Sequence, residues 1–505
     1  MLSKSKFLKG MRCLKMLWLE EHKKEACIAN KDQATRQTGQ EVGQHARNLF
    51  PCGQEVAYNT DMAQMVARTQ ELLKQGITTI YEATFEYQGI LVMVDILEVS
   101  KDGIVLNEVK STTSAYKKTK ERPPEDVYLW DLGIQYYVLE ALGYNIKGAF
   151  LICLNNTYTR KGALDLEKLF LKNDFLQPVR DFVSQIPKFL AHIKQTLENP
   201  QEPNIVIGKH CNSPRECPVK PYCWEEQLGI KGHDHIFAIT DHRFSAKIMK
   251  LYQNKRIFFK DLTQEDIQAF SPNQRMQVEC ALKNTPHIEK DKIKKFLAHL
   301  KYPLYHLDFE TYQSAIPLFD ETKPYTQIPF QYSIHIEFED GSLEHKEFLA
   351  ECGTDGRLEL AQRLVTDIPK DACVLAYHAD FEKGRLTELA HLFQTSHPDL
   401  SESLLAICEN ITDLEIPFKN KDYYTCRMHG SSSIKEVLPA LVPDFEKAYK
   451  DLDLIHNGKE AMEAYKQMPG MPEAEQEQYK QALLKYCELD TLAMVKVLEV
   501  LRGID

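Results

Sequence analysis

The sequence has no apolar run approaching the ~20 residues needed to span a bilayer. Its opening stretch, "MLSKSKFLKGMRCLKMLWLEEHKK", breaks each apolar segment with charge, so neither a membrane helix nor a secretory leader is expected. A surplus of positive charge is also missing: 62 Lys+Arg against 73 Asp+Glu give a net charge of -11. That excludes a protein coated in basic surface, but not a local basic groove. Internal repeats and low-complexity tracts are absent. So is an even cysteine count behind a leader, the mark of a disulfide framework; the 13 cysteines point instead to a cytoplasmic protein with a metal site among buried thiols. What is present is the composition of a globular protein, 43% hydrophobic and 27% charged. At 505 residues two or three domains are expected.

Residues 1–230 mix helical stretches with a β-rich centre and end in a Cys/Pro cluster. A charged, helical stretch follows over about 231–300. From "YPLYHLDFETY" onward, apolar strands alternate with amphipathic helices, the pattern of an α/β layer. Boundaries are placed near 230 and 300.

In "YPLYHLDFETY", Asp308 and Glu310 stand at i and i+2 of a strand and project from one face. "DACVLAYHADFEKGRL" reads as a buried strand, 372–377, entering a helix near Asp380, which puts Asp380 or Glu382 at the strand's carboxyl end. In "LLKYCELDTLAMVKVLEVL", Tyr486 and Asp490 lie one turn apart on one helix face. Clustered carboxylates need a cation, and oxygen-only ligands suit Mg2+ or Mn2+. Two such ions can activate water and stabilise the leaving oxygen of a phosphodiester.

The order D-x-E, a later acid, then Y-x-x-x-D resembles the DEDDy branch of the RNase H-like 3′→5′ exonucleases over about 301–505. The resemblance implies that Asp308, Glu310 and Asp490 are metal ligands and that Tyr486 orients the attacking water. It makes Glu382 the fourth ligand, with Asp380 as the alternative. The usual Asn before an F-D pair is replaced here by "HADFE". "GSSSIKEVLPAL", 430–441, can present backbone N–H groups and hydroxyls to phosphate, or simply N-cap a helix with one serine.

"GILVMVDILEVSKDGIVLNEVKSTT" predicts a hairpin turning at Lys101-Asp102-Gly103. Asp95 is a carboxylate inside an apolar strand, while Glu108 and Lys110 share a face of the next. An Asp and a Glu can hold a divalent cation while a lysine orients water. This resembles the PD-(D/E)xK nuclease core. The helix in "WDLGIQYYVLEALGY" resembles the glutamine-bearing helix of the RecB-type branch, which makes Gln135 a site contact. That branch carries a metal-binding histidine upstream; in "TGQEVGQHARNLF" the candidate is His45, with a solvent-facing helix histidine as the other reading.

Cys211, Cys217 and Cys223 in "HCNSPRECPVKPYCW" lack the C-x₂₋₄-C spacing typical of zinc, and Cys13 can supply a fourth ligand. One cysteine before the core and three after it resembles the iron–sulfur nucleases of the AddB and CRISPR-associated type, which implies a 4Fe–4S cluster rather than zinc. Lys117, Lys118, Lys120 and Arg122, with Tyr116 and Trp130, can track single-stranded nucleic acid or form a solvated loop.

The whole chain resembles a bacterial family that fuses a RecB-like iron–sulfur nuclease to a DEDDy exonuclease. The expected architecture is α/β and multidomain: a PD-(D/E)xK domain at 1–230, a helical linker at 231–300 and an RNase H-like domain at 301–505. The expected function is a metal-dependent nuclease acting on DNA strands or ends in repair or defence against mobile elements. The alternatives are an RNA exonuclease or a nucleic-acid-binding scaffold with degenerate sites.

Overall fold

The computed structural model describes residues 1–28, 33–116, 125–241 and 244–504. The run Lys117, Lys118, Lys120 and Arg122 lies outside the described residues. The chain is a multidomain α/β protein with mixed sheets. It forms two compact units: Met1–Gly229 with Ser314–Thr326, and Ile230–Gln313 with Gln327–Asp505.

The first unit is built on a seven-stranded sheet. Alternating aliphatic residues form the strands Ile90–Ser100 and Gly103–Lys110, joined at Lys101 and Asp102 with Ser100 paired to Gly103. A Cβ at Gly103 would lie 2.1 Å from the Asn145 carbonyl oxygen, so the turn requires glycine. Thr79–Tyr87 pairs antiparallel to Ile90–Ser100 on one side, and Ile146–Leu154 pairs parallel to Gly103–Lys110 on the other. The helix Asp126–Ala141 buries Leu132, Ile134 and Val138 in one core with Val92, Val94 and Leu106. At the chain start the short strand Leu2–Ser3 pairs parallel to Ile90–Ser100 and leads into the helix Lys4–Arg12.

Ser314–Thr326 packs as part of this unit although both flanking strands belong to the other. Ala315 and Ile316 are buried with Val42, Ala46, Ile96 and Ile152. Arg160 Nη1 donates to the carbonyls of Pro317 and Leu318 at 2.9 and 2.8 Å. The Tyr325 hydroxyl donates to the Ser111 carbonyl.

The second unit has a five-stranded sheet in the order Leu343–Leu349, Ile328–Glu337, Leu304–Tyr312, Cys373–Ala376, Ile411–Asp413. The first three strands are antiparallel and the last two join in parallel. Residues 231–300 form short helices, among them Ala246–Gln253 and Pro272–Lys283, N-capped by Ser245 and Ser271. Cys280 and Ile293 from this stretch are buried with Leu304 and Leu375. The long helix Glu473–Arg502 starts with Glu473 and Glu475, which favour a helix N-terminus, and buries its apolar stripe. Among the described residues, no helix is long and apolar enough to cross a membrane.

Candidate functional site

In the second unit, strand alternation sends Asp308 and Glu310 to one face, opposite Ser333 and Gln331 of the neighbouring strand. The helix Glu473–Arg502 is pinned over that face. Gln331 Nε2 donates to the Leu483 carbonyl at 2.8 Å, and the Ser333 and Thr491 hydroxyls lie 2.7 Å apart. This register turns Tyr486, Cys487 and Asp490 toward the strand. Asp308, Glu310 and Asp490 each offer an oxygen within 4.8 Å of the others, and no other group of three His, Cys, Asp or Glu among the described residues is that close.

The fourth acid comes from the helix Asp380–Phe393. Glu382 is 3% exposed, and its Oε2 is buried without a hydrogen-bond partner. Asp380, the alternative, is exposed. Burial and the neighbouring charges of Asp490, Glu382 and Glu310 hold the Asp308 carboxyl far above its ordinary range. Burial and Asp490 raise Glu310 to about 8, and burial with Asp413 raises Glu382 to about 8. Asp490 rises less, to about 6, because hydrogen bonds from Tyr449 and Tyr486 oppose its burial. The cause common to all four is burial, to which neighbouring acids add at Asp308, Glu310 and Glu382.

Two neighbours escaped sequence reading. Tyr449 donates to Asp490 Oδ1 at 2.6 Å, and its ring meets that of Tyr486 edge-on, with 6.3 Å between centroids. Cys487 Sγ donates to Asp308 Oδ2 at 3.7 Å. Tyr449 sits in an ordinary polar stretch with no sequence signal. In the Gly/Ser loop, Ser433 occupies the N-cap of the helix Ile434–Leu441 without a side-chain capping bond, and the Ser432 hydroxyl donates to Glu415 Oε1 at 2.7 Å. The Lys435 charge on this helix tempers the rise at Glu310 and Asp490.

In the first unit, Asp95 lies beside Glu108, one step past the last ladder pair, Ile96 with Asn107. Its Oδ2 accepts from the Val109 N–H at 2.7 Å. Lys110 Nζ lies 2.6 Å from Glu108 Oε1, and Gln135 Nε2 donates to Glu108 Oε2 at 2.8 Å. Sequence reading missed Lys4 and Asp131. Lys4 Nζ reaches both Glu108 oxygens at 2.9 and 3.0 Å and Asp131 Oδ1 at 3.0 Å. Lys110 lies 2.8 Å from Asp131 Oδ2. Burial, Asp131 and Asp95 raise Glu108 to about 7. For Asp131, burial acts upward, but Lys110 and Lys4 outweigh it and hold the carboxyl below its ordinary range. Asp131 had a signal, an acid inside an apolar helix; Lys4 had none. His45 is half-buried on the helix Gln33–Arg47, and among the described residues its ring makes no hydrogen bond or ion pair.

The four selected cysteines come from both ends of this unit. Cys13 sits at the junction of the helices Lys4–Arg12 and Leu14–His22. The Arg12 guanidinium ties that junction to the cysteine loop through the His210 carbonyl at 3.0 and 2.8 Å. The Cys217 N–H donates to the Cys211 carbonyl at 2.8 Å. Hydrogen bonds with the Cys13 and Cys211 thiols raise His210 to about 10, and burial raises Cys217 to about 11 and Cys223 to about 12. Cys217 also feels Cys13 and Cys211, and Cys223 feels all three. Among the described residues, no three thiols come as close as the 4.8 Å of the acid group.

Known proteins resemble parts of this chain. The family "Domain of unknown function (DUF2779)" matches residues 305–433, which include Asp308, Glu310 and Glu382 but not Tyr486 or Asp490. "Uncharacterized protein MG366 homolog" of Mycoplasma pneumoniae is 28% identical over 223 residues, 41% of this chain and 33% of that protein. "Uncharacterized protein MG366" of Mycoplasma genitalium is 28% identical over 222 residues, again 41% and 33%. "Uncharacterized protein UU173" of Ureaplasma parvum is 27% identical over 219 residues, 40% and 31%. The chain spans about a third of the length of these curated relatives.

Proposed function

We propose that the protein is a metal-dependent nuclease whose second unit trims nucleic acid from 3′ ends, DNA by preference. The observation that carries this reading is the convergence of Asp308, Glu310 and Asp490 with Glu382, whose buried Oε2 lacks a partner. Among the described residues no lysine or arginine forms a close ion pair with any of the four, Arg385 and Lys435 acting only from a distance, so hard oxygen donors stand ready for an outside cation. Asp308, Glu310, Glu382 and Asp490 would hold Mg2+ or Mn2+, which when bound supplies Lewis-acid activation of water and stabilisation of the leaving oxygen.

The protein's own residues orient and shield the site. Tyr449 fixes one Asp490 oxygen, the thiol of Cys487 steadies Asp308, and the Gly/Ser loop with Lys435 offers polar groups for phosphate. Tyr486 stands where a hydroxyl can orient water. In the first unit, Asp95, Glu108, Lys110 and Gln135 form a second, PD-(D/E)xK-like hydrolytic site. There Lys4 and Lys110 hold the Glu108 oxygens, and Asp95 Oδ2 accepts from the Val109 N–H. Cys13, Cys211, Cys217 and Cys223 would hold a 4Fe–4S cluster that staples this unit, sulfur donors being suited to it.

The test is a time course on 5′-labelled single-stranded DNA and RNA with Mg2+ or Mn2+. Wild type runs beside Asp308→Ala, Lys110→Ala and the double variant. Asp308→Ala should lose the 3′-trimming ladder by on the order of 10²–10⁴ in rate while still binding the strand. Wild type that binds both strands and cuts neither with any metal would refute the reading.

A further inference from the structure

The two acid clusters differ in what neutralises them. The second-unit acids make no close ion pair among the described residues, Lys435 and Arg385 acting only from a distance, whereas Glu108, 1% exposed, is in direct contact with two lysines. It accepts four hydrogen bonds: two from Lys4, one from Lys110 and one from Gln135. A carboxylate has about four lone-pair sites, so its capacity is full. The same two ammonium groups bridge to Asp131, closing a ring of two acids and two lysines. A divalent ion cannot bind Glu108 until one of these donors withdraws.

Lys4 is the donor that blocks. It occupies both Glu108 oxygens, whereas Lys110 and Gln135 take one each. It is also the first residue of its helix, behind a two-residue strand, rather than part of the central ladder. We propose that Lys4 is a resident counter-ion that a divalent metal must displace from Glu108, so that the first-unit site loads metal only at higher concentration than the second-unit site. The two sites then answer to different metal levels. This rests on the nuclease reading only in taking a divalent cation as the ligand.

The test is Mn2+ binding to the full chain without substrate, followed calorimetrically and by the electron paramagnetic resonance signal of free Mn2+. Wild type should show a tight site that Asp308→Asn with Asp490→Asn removes, leaving weak binding. Adding Lys4→Met to that background should tighten the remaining site at least tenfold. Lys4→Arg, which keeps the charge and its fork of donors, should leave it weak. Lys4→Met binding no tighter than the background overturns the assignment. If Lys4→Met is too unstable in chelator to titrate, melting with and without Mn2+ decides. A larger Mn2+-induced rise than in the background supports the proposal, and an equal rise overturns it. Absence of any Mn2+ binding by wild type would instead sink the nuclease reading itself.

Discussion

Asp308→Asn should make the metal-free protein more stable while destroying its response to metal. Asp308, Glu310 and Asp490 offer oxygens within 4.8 Å of one another. Two full charges at that distance repel by roughly 3 kcal/mol at an effective dielectric of about 20. Proton uptake already relieves part of this, because Asp308 is held far above its ordinary range and Glu310 and Glu382 are raised to about 8, so the effect is largest at pH 8 and above. Removing one charge should therefore return about 1–2 kcal/mol, or about 3–6 °C in the melting temperature of a unit this size. Asn keeps an oxygen for the Cys487 thiol, so the packing should survive.

The pH dependence has a definite sign. A carboxyl whose folded pKa is raised binds more protons folded than unfolded, so its stability is present below about 4.5 and is lost as pH climbs toward 8. Wild type in chelator should lose stability across that window, and Asp308→Asn should flatten the slope. Saturating Mn2+, near 100 times its dissociation constant, should restore about 2.7 kcal/mol to wild type and little to the variant. The assay is calorimetry at pH 5 to 8.5 in chelator and in Mn2+. A variant that melts lower in chelator at pH 8, or keeps the full Mn2+ shift, would refute the crowded-charge reasoning.

Tyr449→Phe removes one hydrogen bond to Asp490, a charge-assisted bond worth about 1.5–3 kcal/mol. Mn2+ affinity and strand trimming should each fall by on the order of tenfold, with substrate affinity unchanged. Cys217→Ala, in protein purified anaerobically, should lose both iron and labile sulfide and lower the melting temperature of the first unit. Stoichiometric zinc in the wild type would overturn the cluster.

Legibility in the sequence followed the range of the information. The period of two along Leu304–Tyr312 put Asp308 and Glu310 on one face, and one helical turn put Tyr486 beside Asp490. The choice between Asp380 and Glu382 stayed open because a strand-to-helix junction does not set the phase of the first turn; the structure exposes one and buries the other. Lys4 reaches Glu108 across 104 positions, and Tyr449 reaches Asp490 across 41. Such pairings have no periodicity to betray them. Asp131 was the legible omission, since the burial argument used for Asp95 applies equally to an acid in "YLWDLGIQYY". The excursion Ser314–Thr326 has no sequence signal, because nothing in "SAIPLFDETKPYT" says which core will take Ala315 and Ile316.

That excursion makes the protein awkward to divide. The backbone passes between the compact units after Gly229, after Gln313 and after Thr326, so a protease nick at any one of these points leaves two covalent tethers. A fragment starting near 300 would carry Ala315 and Ile316 away from the core that buries them and leave a void behind. Surgery is nonetheless feasible, since Tyr312 and Ile328 pair directly across the antiparallel strands. An Asn-Gly hairpin replacing 313–327 should close that gap in the second unit, while the first unit stays whole only if 314–326 is returned to it as a separate peptide.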